Sequence, residues 1–237
     1  MLELNKIYNM DCLKGMKLID DKSIDLTITS PPYNLGNNHH TGNKRHNPYN
    51  DNLPELEYQE NQISVLNEIH RITKDTGSLL YNHKNRIKNG IQTTPYEWVL
   101  KTKWVIKQEL VWFNGSQNFD KVRFYPMTER IYWLSKRADT KLYNAINHHD
   151  LFTKDKWFSV GTNKEHKRAF PVSMINSFIA CFDNAETIFD PYMGSGTTAI
   201  GSINSDKNFI GFEICKEYFD KGNIRIEVEK SQLRLKI

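Results

Sequence analysis

The chain has 237 residues, 38% of them hydrophobic and 12% aromatic, with a formal net charge of +4 and a pI near 8.8. This excludes a disordered chain and suffices for one sizeable domain, and the mild basicity permits nucleic-acid binding without demanding it. Cys12, Cys181 and Cys215 are odd in number and form no CxxC pair, which argues against a disulfide framework or zinc site and for a reducing, cytoplasmic setting.

Met1–Lys6 holds no apolar signal core, and no segment approaches the roughly 18 apolar residues of a membrane helix. Asp11 suits a helix N-cap ahead of Leu13–Leu18. Ile24–Thr29 is a short apolar run that reads as a strand, ended by Pro31-Pro32. Residues 35–54 are rich in Gly, Asn, His and Pro and read as a long mobile loop. Their Lys44, Arg45 and His46 suit a lid or a phosphate-contacting arm, with a mobile linker of scattered charge as the alternative. His39-His40 has no cysteine or carboxylate at ligand spacing, so no metal is expected.

Ile63, Leu66, Ile69 and Ile72 form a stripe that predicts a helix over 57–74, with Gly77 at its end. Ser78–Asn82 reads as a strand, and 85–103 holds a further helix. Val105–Phe113 and Arg130–Ser135 read as strands around a polar, aromatic stretch, and 137–165 as irregular. Helical spacing returns over Phe170–Phe182. Glu186–Phe189 reads as a strand, Thr197–Asn204 as a helix, Phe209–Ile214 as a strand, and 216–230 as the last helix. This alternation predicts an α/β doubly wound sheet in one domain over 1–237, with 114–165 as a candidate insert.

Two strings carry the chemistry. Asp190-Pro191-Tyr192-Met193-Gly194-Ser195-Gly196-Thr197-Thr198 follows a strand and opens a helix, so its glycines let a ligand approach the backbone beside free helical N–H groups. A phosphate there would meet the Asp190 carboxylate, whereas a cationic amine or sulfonium is compatible with it. Glu213 lies about 20 residues on, at the end of the next strand, where an acidic residue commonly bonds ribose hydroxyls. Thr29-Ser30-Pro31-Pro32-Tyr33-Asn34 sets a hydroxyl, a constrained carbonyl and an aromatic face side by side. A site for a flat, amine-bearing ring needs those three things.

Together the strings resemble the DNA amino-methyltransferases, which move a methyl group from S-adenosylmethionine to an exocyclic base nitrogen. The resemblance runs from about Asn5 to Phe219. The Ser-Pro-Pro-Tyr motif precedes the Gly-rich motif, which is the permuted order of the β group. It implies a Rossmann-like methyltransferase fold with a seven-stranded mixed sheet and a small recognition insert at 114–165, where Lys121, Arg123, Phe124 and Tyr125 suit phosphate contacts and stacking. It implies cofactor contacts from Asp11, Cys12, Phe170, Pro171 (at a first helical position), Asp190, Pro191, Met193, Gly194, Ser195, Gly196, Thr197 and Glu213.

The chemical problem is that the amine lone pair is delocalised into the base. Hydrogen bonds from the amine to the Ser30 hydroxyl and the Pro31 carbonyl would push the nitrogen toward tetrahedral geometry. Pro32 helps fix that carbonyl, and Tyr33 offers a stacking face. A base in a duplex must first be flipped out, at a cost of a few kcal/mol. Serine before Pro-Pro-Tyr is more typical of cytosine-N4 than of adenine-N6 enzymes, so cytosine N4 is favoured and adenine N6 is the alternative. An RNA or protein-glutamine amino-methyltransferase and a catalytically silent DNA-binding subunit are the rival readings. Double-stranded DNA is the expected partner, and a homodimer and a separately acting cognate restriction endonuclease are compatible with the family.

Overall fold

The computed structural model describes residues 2–36, 50–114, 122–124, 126–144, 149–152 and 170–234. Lys44, Arg45, Lys121 and Tyr125 lie outside the described residues, and Arg123 and Phe124 are exposed.

Strands β1 (Lys6–Tyr8), β2 (Ile24–Thr29), β3 (Thr73–His83), β6 (Val105–Phe113), β7 (Thr128–Ser135), β9 (Thr187–Asp190) and β10 (Asn208–Phe212) form the expected mixed sheet, with a two-residue strand β8 (Leu151–Phe152) added at one edge. The order is β1-β10-β9-β2-β3-β7-β6-β8. The five strands from β1 to β3 are parallel, and β7 runs antiparallel to both β3 and β6. Among the described residues no helix is long and apolar enough to cross a membrane.

Alternation along the strands sends side chains to both faces. Leu79, Tyr81, Tyr132 and Leu134 join one core cluster with α1 (Cys12–Met16), α2 (Glu55–Ile72) and α3 (Tyr96–Val99). Leu80, Ile131 and Trp133 point the other way, onto Met174, Ile175, Phe178 and Ile179 of α4 (Val172–Cys181). On that same side α5 (Thr197–Asn204) and α6 (Lys216–Arg234) pack through Ala199, Ile200 and Ile226 with Ile7 and Phe209.

The connection from β2 leads to α2 on one face, and that from β9 leads to α5 on the other. The chain therefore diverges between neighbouring parallel strands, and the crevice outside their carboxyl ends is where open α/β sheets bind ligands. Both motifs end there.

Four expectations are corrected. The 57–74 helix ends at Ile72, and β3 starts at once. Gly77 is not a helix end: it lies inside β3, where a Cβ would stand 2.7 Å from the Asp25 carbonyl oxygen, beside the register shift between Ile24 and Leu26. The helix expected within 85–103 is present only as the four-residue α3, and a hairpin of β4 (Arg86–Lys88) and β5 (Ile91–Thr93) precedes it. Its turn is Asn89-Gly90, with φ of 52° and 78°, the residue pair such turns favour. Pro171 is the N-cap of α4, one position before the first helical residue. β7 and β8 of the main sheet fall within 114–165. Most of the rest of that range lies outside the described residues.

Candidate active site

The two motifs meet through one buried hydrogen bond. Thr29, the last residue of β2, donates its hydroxyl to Asp190 Oδ1 at 2.8 Å. Asp190, the last residue of β9, also accepts from the Thr198 hydroxyl at 2.7 Å and the Tyr192 amide at 3.0 Å. Burial nevertheless pushes its carboxyl up to about 6. The carboxylate thus turns inward and ties β2, β9 and α5 together.

The Gly-rich turn is held from two sides. Glu213 accepts from the Gly194 amide at 2.8 Å and from the Cys215 amide at 2.7 Å, and burial again raises its carboxyl. From outside, Arg225 of α6 donates to the Ser195 carbonyl at 2.6 Å and its hydroxyl at 3.0 Å, and reaches the Thr197 hydroxyl at 3.4 Å. Gly196 has φ of 84°, and a Cβ on it would come within 3.2 Å of the Gly222 backbone of α6. Gly194 is different. Its φ is 55°, and the nearest atom to a Cβ there would be the Tyr192 carbonyl oxygen at 3.9 Å, so its open side faces free space.

Asp11 caps α1, accepting from the Lys14 amide at 3.0 Å. Cys12 is buried, and burial pushes its thiol up to about 12, so it is no nucleophile. Asn9 donates to the Glu213 carbonyl at 2.7 Å, binding the end of β1 to the crevice. Pro191 and Met193 are buried in the turn. Phe170 packs on Trp112 with ring centroids 5.8 Å apart and belongs to the core.

An open backbone at Gly194 lies beside two buried carboxylates, and among the described residues neither Asp190 nor Glu213 has an ion-pair partner. That chemistry fits a cation-bearing ligand such as S-adenosylmethionine and opposes a phosphate.

On the other side of Thr29, Ser30 and Tyr33 hydroxyls lie 2.7 Å apart. Tyr33 donates to Glu129 Oε2 at 2.9 Å, and Asn82 Nδ2 donates to the same oxygen at 2.8 Å and to the Tyr33 hydroxyl. Asn82 Nδ2 also donates to the Ser30 hydroxyl at 3.3 Å, and Asn82 Oδ1 is buried without a hydrogen-bond partner. The Pro32 carbonyl lies 2.8 Å from the Tyr58 hydroxyl, which is 2.6 Å from His83 Nε2. Burial pushes His83 down to about 3, so its imidazole is neutral, and Nδ1 sits 2.8 Å from the Lys84 carbonyl oxygen as the protonated nitrogen. Asn34 exchanges two side-chain hydrogen bonds with the Leu53 backbone, and most of the 35–54 segment expected as a mobile loop lies outside the described residues.

Residues 24–224 match the N6/N4 methyltransferase family model, described as DNA methylase. The chain belongs to this family. The enzyme is therefore a DNA amino-methyltransferase that uses S-adenosyl-L-methionine. It is 27% identical to the type II methyltransferase M.BglII of Bacillus subtilis over 92% of this chain and 67% of that protein. It is 25% identical to the DNA adenine methyltransferase YhdJ of Escherichia coli (strain K12) over 95% of this chain and 84% of the relative. The structure of the PvuII DNA methyltransferase (cytosine-N4-specific) superposes with a TM-score of 0.74 at 21% identity, covering 95% of this chain and 89% of that one, a likeness of fold.

Sequence reasoning did not single out Asn82, Glu129, Tyr58, His83 or Arg225. Asn82-His83 carried a signal, since two polar residues end an apolar strand next to a strand already assigned to the site. Glu129 and Arg225 carried none, because their partners are about 96 and 30 residues away in sequence.

Proposed function

We propose that the enzyme methylates the exocyclic amine of a base flipped out of double-stranded DNA, with cytosine N4 as the preferred target and adenine N6 as the alternative. The observation that carries this is the Ser30–Pro31 pair beside the Gly-rich turn. Ser30 offers a hydroxyl at the crevice, and no described residue donates to the Pro31 carbonyl, whereas the Pro32 carbonyl faces Tyr58. Two acceptors aimed at one amine localise its lone pair, and fixed positions supply most of the rate. S-adenosylmethionine supplies the electrophilic methyl group, held by Gly194, Glu213 and the end of β1. Asp190 holds the two half-sites together. The Tyr33 ring stacks on the target base, and the charged segments at 35–54 and 114–165 contact DNA.

The base preference rests on Ser30 in place of Asp, a correlation within the family. Relatives named as adenine-specific and as cytosine-N4-specific occur side by side, so both products stay in the test. Unmethylated DNA is incubated with the enzyme and methyl-labelled cofactor, digested to nucleosides and analysed by mass spectrometry. N4-methylcytosine is expected. N6-methyladenine alone would reverse the base assignment, and C5-methylcytosine would overturn the mechanism, because Ser30–Tyr33 offers no nucleophile for carbon attack.

A further inference from the structure

Glu129 sits on β7, one strand beyond β3 from the Ser-Pro-Pro-Tyr turn. Its Oε2 receives Tyr33 and Asn82, and its Oε1 receives Asn114 Nδ2 at 2.9 Å. Among the described residues no cation pairs with it. Arg130, its neighbour, is 2.8 Å from Glu109 instead. A carboxylate accepts and does not donate, so it fixes the direction of every hydrogen bond behind it. The Tyr33 proton points to Glu129, so the Tyr33 oxygen can only accept from Ser30. The Ser30 proton is thereby committed inward, one lone pair on Ser30 Oγ accepts from Asn82 Nδ2 at 3.3 Å, and the other is left as an acceptor for the crevice. Burial, and then the Glu129 carboxylate, keep the Tyr33 phenol protonated well above its ordinary range, which preserves this order.

We propose that Glu129 is a positioning residue for methyl transfer: through Tyr33 it makes Ser30 an acceptor for the target amine and it receives the proton released by the reaction. This rests on the amine-transfer reading above. In the balanced step the amine nitrogen forms a bond to the methyl carbon, and the carbon–sulfur bond of the donor breaks with its electron pair on sulfur. The nitrogen, now positive, passes a proton to Ser30 Oγ as the Ser30 proton moves to Tyr33 and the Tyr33 proton moves to Glu129. The products are the N-methylated base, the neutral thioether and a protonated Glu129. The carboxylate also stabilises the positive charge as it develops, in a site largely removed from water.

The test is single-turnover methylation of unmethylated plasmid DNA with tritiated cofactor at saturating concentration. Glu129→Gln keeps the size of the side chain and removes its charge. It is expected to slow transfer on the order of 10²-fold. Its cofactor affinity, DNA retention and thermal midpoint should stay near those of the wild type. The loss in Glu129→Gln should fall on the maximal single-turnover rate and leave the half-saturating DNA concentration unchanged.

Tyr33→Phe cuts the chain while leaving the ring and the carboxylate in place. It should be as slow as Glu129→Gln, and the double variant no slower than either single one. A wild-type rate in Glu129→Gln, a loss that saturating DNA removes, or additive losses in the double variant would overturn the proposal. If Glu129→Gln is slow only through unfolding, Tyr33→Phe will keep the wild-type rate, which overturns it too. Absence of any N-methylated base in the wild-type product would instead overturn the amine-transfer reading beneath it.

Discussion

Gly194 and Gly196 are two residues apart and do different work. A side chain at Gly196 would strike the α6 backbone, so replacing it disturbs packing between the turn and a helix. At Gly194 a side chain meets only open space, and its cost is a positive φ plus the volume taken from the crevice. Gly194→Val is therefore expected to abolish S-adenosylmethionine binding in isothermal titration and to lower stability by only about 1–3 kcal/mol in urea unfolding. Unchanged cofactor affinity in that variant would mean the crevice lies elsewhere. Tyr33 separates in the same way. Its ring and its hydroxyl have distinct partners, His83 on one side and Ser30, Asn82 and Glu129 on the other. Tyr33→Ala should reduce transfer by more than Tyr33→Phe, since base–aromatic stacking is worth about 1–3 kcal/mol per base. Cofactor affinity measured alongside should hold in both variants, and its parallel loss would point to unfolding.

At the scale of elements, α6 clamps the cofactor turn through Arg225, which crosses from one helix to three acceptors on Ser195 and Thr197. Removing it leaves those acceptors to water and loosens the turn without touching the crevice. Arg225→Ala is expected to weaken cofactor binding about tenfold, which corresponds to about 1.4 kcal/mol, the scale of one charged hydrogen bond. The measurement is the same titration, and full affinity would show that the turn is rigid on its own. This clamp also marks where the sequence stops being informative. The strand–turn–helix around Asp190–Thr197 was legible because its glycines, its acid and its apolar strand lie within ten positions of one another. The 85–103 segment was misread because Asn89-Gly90 is a strong turn signal inside a stretch with enough apolar residues to suggest a helix. Gly77 was misread because close strand approach and helix termination both select glycine. Glu129 and Arg225 were invisible, since each becomes part of the site only when the sheet order and the docking of α6 bring it there.

Over the whole molecule, the site holds two buried titratable groups that respond to acid in opposite directions. His83 is depressed by burial from 6.5 to about 3. Its neutral form is favoured by folding, so its contribution to stability is complete above 6.5 and is lost as pH falls toward 3. Asp190 is raised by burial from 3.8 to about 6. Its protonated form is favoured by folding, so its contribution is complete below 3.8 and is lost as pH rises through about 6. Between about pH 4 and 6 the two slopes oppose each other, each near 1.4 kcal/mol per pH unit at most. The stability of the wild-type protein should therefore change little with pH in that window on their account. His83→Gln keeps a polar side chain toward Tyr58 and removes the titration, leaving Asp190 unopposed. Relative to wild type, its unfolding free energy should rise as pH falls from 6 to 4, by about 2–3 kcal/mol. Asp190→Asn should show the reverse trend over the same interval. Urea unfolding of the three proteins at matched pH values reads both differences directly, and the exposed carboxylates common to all three cancel. A constant offset between wild type and His83→Gln across the window would mean that His83 is not held neutral by burial.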